Sequence, residues 1–287
     1  MKISTEISSI AKHVGEEEAV RLVAKAGFDA YDFSMFAMAP YSWSERAVTY
    51  TGHPLQTPDY LKFARQLKAV AEDNGIICNQ SHAPFPVFYD SSMDYMKRAI
   101  ECTAEAGGQI CVIHPEHPKS AEENGKMYLE LLPFAKEHGV KIATENMWAW
   151  KGSLDHAVPA ACSTPESFLA YLEVVNDPYF VACLDIGHAE MRGLGTSAAE
   201  LILTLGHHLQ ALHIHDNDQW HDTHALPFTK KVDFTAVMAA LKQIGYTGYL
   251  TLEAVQHCES CAPDELFEKI REMAAAARKL SDMIEIE

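Results

Sequence analysis

Positive charge is what this chain has least of. It carries 23 Lys and Arg against 40 Asp and Glu, a formal net charge of −17. Such a chain is repelled by phosphate backbones and anionic membrane surfaces unless its basic residues cluster. They come at most in pairs, such as Lys97-Arg98 and Lys230-Lys231. Neither a nucleic acid nor a membrane is therefore an expected partner. A G-x-G-x-x-G run after the first predicted strand is also missing, which argues against a dinucleotide site. The chain lacks a second C-x-x-C to complete a zinc ribbon with Cys258 and Cys261, so that pair is read as a plain loop. The seven cysteines are an odd number. Cys78, Cys111 and Cys183 sit inside predicted strands and are read as buried free thiols. The opening run MKISTEISSI is strand-like, without the charged start and long apolar core of a leader. A reducing cytoplasm is the expected compartment.

What is present alternates. Strand-like runs are expected at 1–7, 28–33, 76–82, 109–114, 140–146, 179–185, 210–215 and 248–253. Helices are expected at 16–26, 57–74, 90–106, 121–138, 163–175, 196–205, 232–245 and 263–279. Their signals are physical. Glu16, Glu17 and Glu18 complement a helix N-terminus and Gly27 ends it. Thr57-Pro58 and Thr164-Pro165 are caps followed by proline. A long aromatic-rich loop is expected from Ser34 to Gln56, a length usual for a lid or binding loop. Eight strand–helix units predict an α/β chain closed into a (β/α)8 TIM barrel, one domain over 1–287.

In such a barrel the C-terminal strand ends share one face, where catalysis takes place. Those ends carry Asp32, His82, His114, Glu145, Asp185, His215 and Glu253, with His188, Asp222 and His224 just beyond. A histidine at one strand end is usually an ordinary surface or core residue. Six consecutive strands ending in His, Asp or Glu point instead to a divalent metal site. His213 has the same parity as His215 and lies deeper, so it is read as a core or supporting residue. Carboxylates with imidazoles suit Mn²⁺ first; Zn²⁺, Co²⁺ and Mg²⁺ also fit. All four tryptophans, Trp43, Trp148, Trp150 and Trp220, are expected in loops on this face. Their flat rings would suit the C–H faces of a sugar.

The motifs SHAPF at His82, IHP at His114, TEN at Glu145, LDIGH at Asp185–His188, HIHDND at His213–Asp218, DTHALPF at Asp222–Phe228 and TLE at Glu253 resemble one family. It is the xylose-isomerase-like TIM-barrel superfamily of sugar phosphate isomerases and epimerases, which also contains endonuclease IV. The resemblance covers essentially the whole chain. It implies a metal held by Glu145, Asp185, His215 and Glu253. It also implies that Glu145 and Glu253 serve as acid and base, and that His188 contacts substrate oxygen. His82, His114, Asp222 and His224 correspond to further metal ligands of endonuclease IV. The ketose 3-epimerases of the family carry a Glu six residues after the first metal Glu and an Arg six after the metal His. Lys151 and His221 stand there in this chain.

The expected function is metal-dependent isomerisation or epimerisation of a small sugar or sugar derivative, by proton transfer next to a carbonyl. A lyase on the same fold is the alternative, of inosose- or dehydroshikimate-dehydratase type or cleaving C-glycosides. An endonuclease IV-like repair enzyme ranks lower. A homo-oligomer is compatible with the sequence.

Overall fold

The computed structural model describes residues 1–89 and 91–285. Eight parallel strands form one sheet: β1 Ile3–Glu6, β2 Ala30–Ser34, β3 Ile77–His82, β4 Ile110–Val112, β5 Lys141–Glu145, β6 Phe180–Asp185, β7 Leu209–His213 and β8 Leu250–Leu252. Their order is β7-β6-β5-β4-β3-β2-β1-β8. The remaining gap, between β7 and β8, is closed by a single parallel bridge between Ile214 and Leu252. Around it the Ile214 N–H donates to Thr251 O and the Glu253 N–H to Ile214 O, each at 2.9 Å. The result is the (β/α)8 barrel that the alternation predicts.

The strands are buried on both faces, as parallel barrel strands must be. The helices lay one apolar stripe against them. In Glu16–Ala26 the buried residues are Ala19, Val20 and Val23. Three acidic residues fill its first turn, and Gly27 ends it at φ 99°, a conformation that costs glycine nothing. Ser120 and Glu123 form a reciprocal capping box at the start of Ala121–Glu137. Thr164 caps Pro165–Val175 with the proline at its first turn.

Element boundaries differ from the sequence reading by a few residues. The final helix runs Leu266–Glu285, later at both ends than expected. Asp90, expected to open a helix, lies outside the described residues; that helix spans Ser92–Glu105. Strand β7 ends at His213 and not at His215. Several short pieces went unread: the helices Ser8–Val14, Ile186–Ala189 and Val255–Glu259, each just after a strand. Cys258 is therefore buried in a helix, where a plain loop was expected. The 34–56 segment holds a small hairpin, Tyr41–Ser42 with Ala47–Val48. A second hairpin, Trp148–Lys151 with His156–Pro159, follows β5. Among the described residues no helix is long and apolar enough to cross a membrane.

One buried carboxylate holds the segment after β7. Asp216 Oδ2 accepts the N–H groups of Thr229 and Lys230 at 3.0 and 2.7 Å, and Oδ1 that of Val232 at 2.9 Å. Its backbone pairs antiparallel with Ala225. Asp216→Ala strands three backbone donors and is expected to cost roughly 3 kcal/mol or more of unfolding free energy. Urea unfolding checks this, and a loss under 1 kcal/mol, within the range of an ordinary substitution, would refute it.

Candidate metal centre

The strand ends deliver their donors to one buried cluster. Glu145 ends β5, Asp185 ends β6 and His213 ends β7; Glu253 follows β8 directly. Asp185 and His213 are register partners in adjacent strands. One donor atom from each of Glu145, Asp185, His213 and Glu253 lies within 4.8 Å of the others. His82, His114 and Glu145 form a second such group, and His188, His215, Asp222 and His224 a third. His82 also lies within reach of His213 and Glu253.

The expected ligands are thus all brought to one place, with a change of partner. His215 keeps contact with Asp185, Nε2 to Oδ1 at 3.0 Å, yet groups with Asp222 and His224. His213 occupies the position beside both glutamates: its Nδ1 is 3.2 Å from Glu145 Oε2 and 3.7 Å from Glu253 Oε2. The physical reason is the earlier end of β7, which makes His213 the terminal residue in register with Asp185. Gly187 makes room for His215, since a Cβ there would overlap the imidazole ring.

Each ring is aimed by its other nitrogen. His213 Nε2 is 3.2 Å from Asp32 Oδ2, and Gln80 donates to the same oxygen at 2.9 Å. The Nδ1 atoms of His82, His188 and His224 face the carbonyls of Ala83, Asn146 and Glu253 at 2.9, 2.9 and 3.0 Å. A nitrogen that donates to a fixed acceptor leaves the other with a free lone pair, the form that binds a metal. The free nitrogens converge: His82 Nε2 is 2.9 Å from His114 Nε2, and His188 Nε2 is 3.0 Å from Asp222 Oδ2. Asp185 is used twice. Its Oδ1 caps the helix Ile186–Ala189 through the His188 N–H at 2.6 Å. Its Oδ2 has no hydrogen-bond partner, and the same holds for His213 Nδ1 and Asp222 Oδ1, all buried. Orphaned buried polar atoms are costly. Asp185 and His213 belong to one carboxylate–imidazole group and Asp222 to the adjoining one, which is the donor chemistry of a divalent cation site.

Charge is correspondingly displaced. Burial pushes the Asp185 carboxyl up, but His188 and His215 outweigh it and hold it at about 2. Burial also raises Glu253, and the nearby imidazoles do not reverse it. Glu145 faces the same burial, yet His213 and His114 bring it well below the usual carboxylate range. Burial lowers His114 to about 4, while Asp222 and Glu253 lift His224 to about 10 against its burial. Burial pushes the Cys183 thiol to about 12, so it stays protonated beside the cluster. His224 takes a left-handed backbone at φ 42°, a strained choice for a side-chain-bearing residue, of the kind that collects at functional sites.

The profile of the family described as "Xylose isomerase-like TIM barrel" matches residues 20–280. The chain belongs to that family. An uncharacterized protein of Methanocaldococcus jannaschii is 26% identical over 238 residues, which are 77% of this chain and 78% of that protein. Among solved structures, a D-tagatose 3-epimerase-like protein superposes with a TM-score of 0.72 at 20% identity, covering 99% of this chain and 97% of that one. The IOLI protein with a bound zinc atom gives a TM-score of 0.72 at 19% identity, covering 99% and 98%. The 3-keto-D-glucoside 4-epimerase of E. coli gives 0.70 at 17% identity, covering 97% and 99%. At these identities the likeness is one of fold.

Above the donors, this xylose isomerase-like barrel opens into a cavity of about 920 Å³. Glu145, His82, His114, His188, Asp222, His224 and Glu253 line it, with Trp43 and Trp148. Trp150 and Trp220 are not among its lining residues, contrary to expectation. Trp150 lies two residues further along the hairpin, about 7 Å beyond Trp148 by strand geometry, and is 45% exposed. Trp220 packs instead under the Arg192 guanidinium, 4.4 Å from its ring centre. Phe36 and His117 line the cavity but were not singled out as candidates by strand-end counting, because they lie in the loops.

Asp32→Asn replaces the acceptor behind His213 and is expected to weaken divalent-metal binding by roughly 10–100-fold. Competition of Mn²⁺ against a chelating dye measures it; unchanged affinity would remove Asp32 from the site.

Proposed function

We propose that the chain is a divalent-metal-dependent isomerase or epimerase of a small sugar or sugar derivative, moving a proton next to a carbonyl. The observation that carries this reading is the buried set Glu145, Asp185, His213 and Glu253, of which Glu145 and Glu253 line the cavity. These four would hold the cation, with His215 steadying Asp185. A divalent cation there supplies a Lewis acid for a substrate carbonyl. Glu145 and Glu253 both approach His213 Nδ1, at 3.2 and 3.7 Å, and serve as the pair that removes and returns the proton. His188, its Nδ1 tied to Asn146 O and its Nε2 3.0 Å from Asp222 Oδ2, lines the cavity and would meet a substrate hydroxyl. Family membership and the fold shared with sugar epimerases support the substrate class.

A second reading has one observation in its favour: the separate donor group of His188, His215, Asp222 and His224. Adjacent cations suit hydrolysis of phosphate esters. Against it, the cavity lining contains neither Lys nor Arg among the described residues. Elemental analysis distinguishes the two. One tightly held ion per chain, lost in Asp185→Asn, fits the isomerase. Two or three ions together with phosphodiester cleavage would replace it.

Glu145→Gln and Glu253→Gln are each expected to slow exchange of the substrate's carbon-bound proton with D₂O by about a hundredfold or more. NMR of a ketose panel incubated with each protein reads this. Wild-type exchange in either variant would overturn the proton-transfer mechanism.

A further inference from the structure

The donor cluster occupies only the floor of the cavity. A volume of about 920 Å³ is far more than one hexose ring fills and sits near the upper end of small-molecule pockets. What lines the rest is uneven. On one side, the loops after β2 and β3 supply Phe36, Phe85, Phe88 and Trp43. These rings form two groups, one against the histidines and one more exposed. Phe85 lies flat on His114, with centroids 5.0 Å apart and planes 24° apart. Phe36 meets His82 edge-on at 4.8 Å and Phe85 at 5.2 Å. Further out, Trp43 and Phe88 pack together at 5.9 Å, both against Tyr41. Trp43 is 68% exposed, Phe88 49% and Phe85 45%. Large rings left this open, beside a buried polar site, are surface waiting to be covered.

We propose that the cavity accepts an uncharged glycoside: a ketone-bearing sugar at the donor cluster, joined to a flat apolar aglycone lying against Phe85, Phe88 and Trp43. The proposal rests on the sugar-binding reading of the floor and names what else the substrate carries. The outer aromatic wall offers flat apolar faces and few hydrogen-bond partners. A second sugar there would lose water from its hydroxyls without replacement, whereas an aromatic aglycone would stack. Charge narrows the class further. Glu116, Glu145, Asp222, Glu253 and Glu259 line the cavity, and no Lys or Arg does among the described residues. A phosphate or carboxylate on the distal part would find no lysine or arginine among the described lining residues to pair with.

Isothermal titration of the full chain, supplied with Mn²⁺, tests this. The ligands are methyl and phenyl β-glycosides of glucose, galactose, mannose and xylose, together with the disaccharide cellobiose. For at least one sugar the phenyl glycoside is expected to bind tenfold or more tighter than its methyl counterpart, and tighter than cellobiose. Trp43→Ala and Phe88→Ala should each cut that ratio below threefold. Both side chains are surface-exposed, so neither variant threatens folding. The proposal fails if no phenyl glycoside outbinds its methyl partner, if cellobiose binds best, if the variants weaken both ligands equally, or if no glycoside binds. Proton exchange is read separately. A phenyl preference without exchange would sink the proposed reaction and keep the aglycone subsite; exchange without a phenyl preference does the reverse.

Discussion

The site depends on one constraint: the imidazoles of the cluster are fixed from behind. His82, His188 and His224 each direct one nitrogen at a backbone carbonyl, and His213 directs one at Asp32. Those acceptors belong to the barrel frame, at or just past the strand ends. Ring orientation and tautomer are thereby decided by main-chain geometry, not by whatever enters the cavity. Preorganisation of this kind spares a ligand the entropy of ordering its own site. It also explains the dense interlocking of the frame. Asn146 donates to Asp185 O and accepts the Asp185 N–H at 2.9 and 2.8 Å, while Asn217 donates to Gly187 O.

Concentrating carboxylates and imidazoles at near-zero exposure is expensive without a compensating charge. Asp185, Glu145 and His213 are almost fully buried, and each has its protonation displaced. The cost is tolerated because the groups neutralise one another in part. Glu145 is shared between His114 and His213, and Asp222 between His188 and His224. The strongly negative surface of the whole chain adds a general preference for cations over anions near the mouth.

Much of this was legible in the sequence because the signals are local. The helix stop at Gly27 and the cap at Thr164 act within a few residues. Carboxylates and histidines at the ends of apolar runs could be counted. The choice between His213 and His215 could not be made that way. In H-x-H both side chains share a parity, and which one ends the strand depends on pairing with β6 and on the bridge to β8, which are long-range facts. The hairpin carrying Trp148 and Trp150 was missed because its strands are only four residues each and lack a clear alternation. The helix Ile186–Ala189 is a single turn whose cap is Asp185 itself, so a residue read for chemistry hid a structural role.

The barrel is laced unevenly. Seven of its joints are strand ladders, whereas β7 and β8 meet through the Ile214–Leu252 bridge and its two flanking hydrogen bonds. His213 and Glu253 stand on opposite sides of that seam. An ion gripped by both would act as a rivet across the least stitched joint of the cylinder, and by mass action whatever fills the site would also hold the barrel shut. Occupancy and closure then become one equilibrium, and the chain's resistance to opening would rise and fall with the free metal around it.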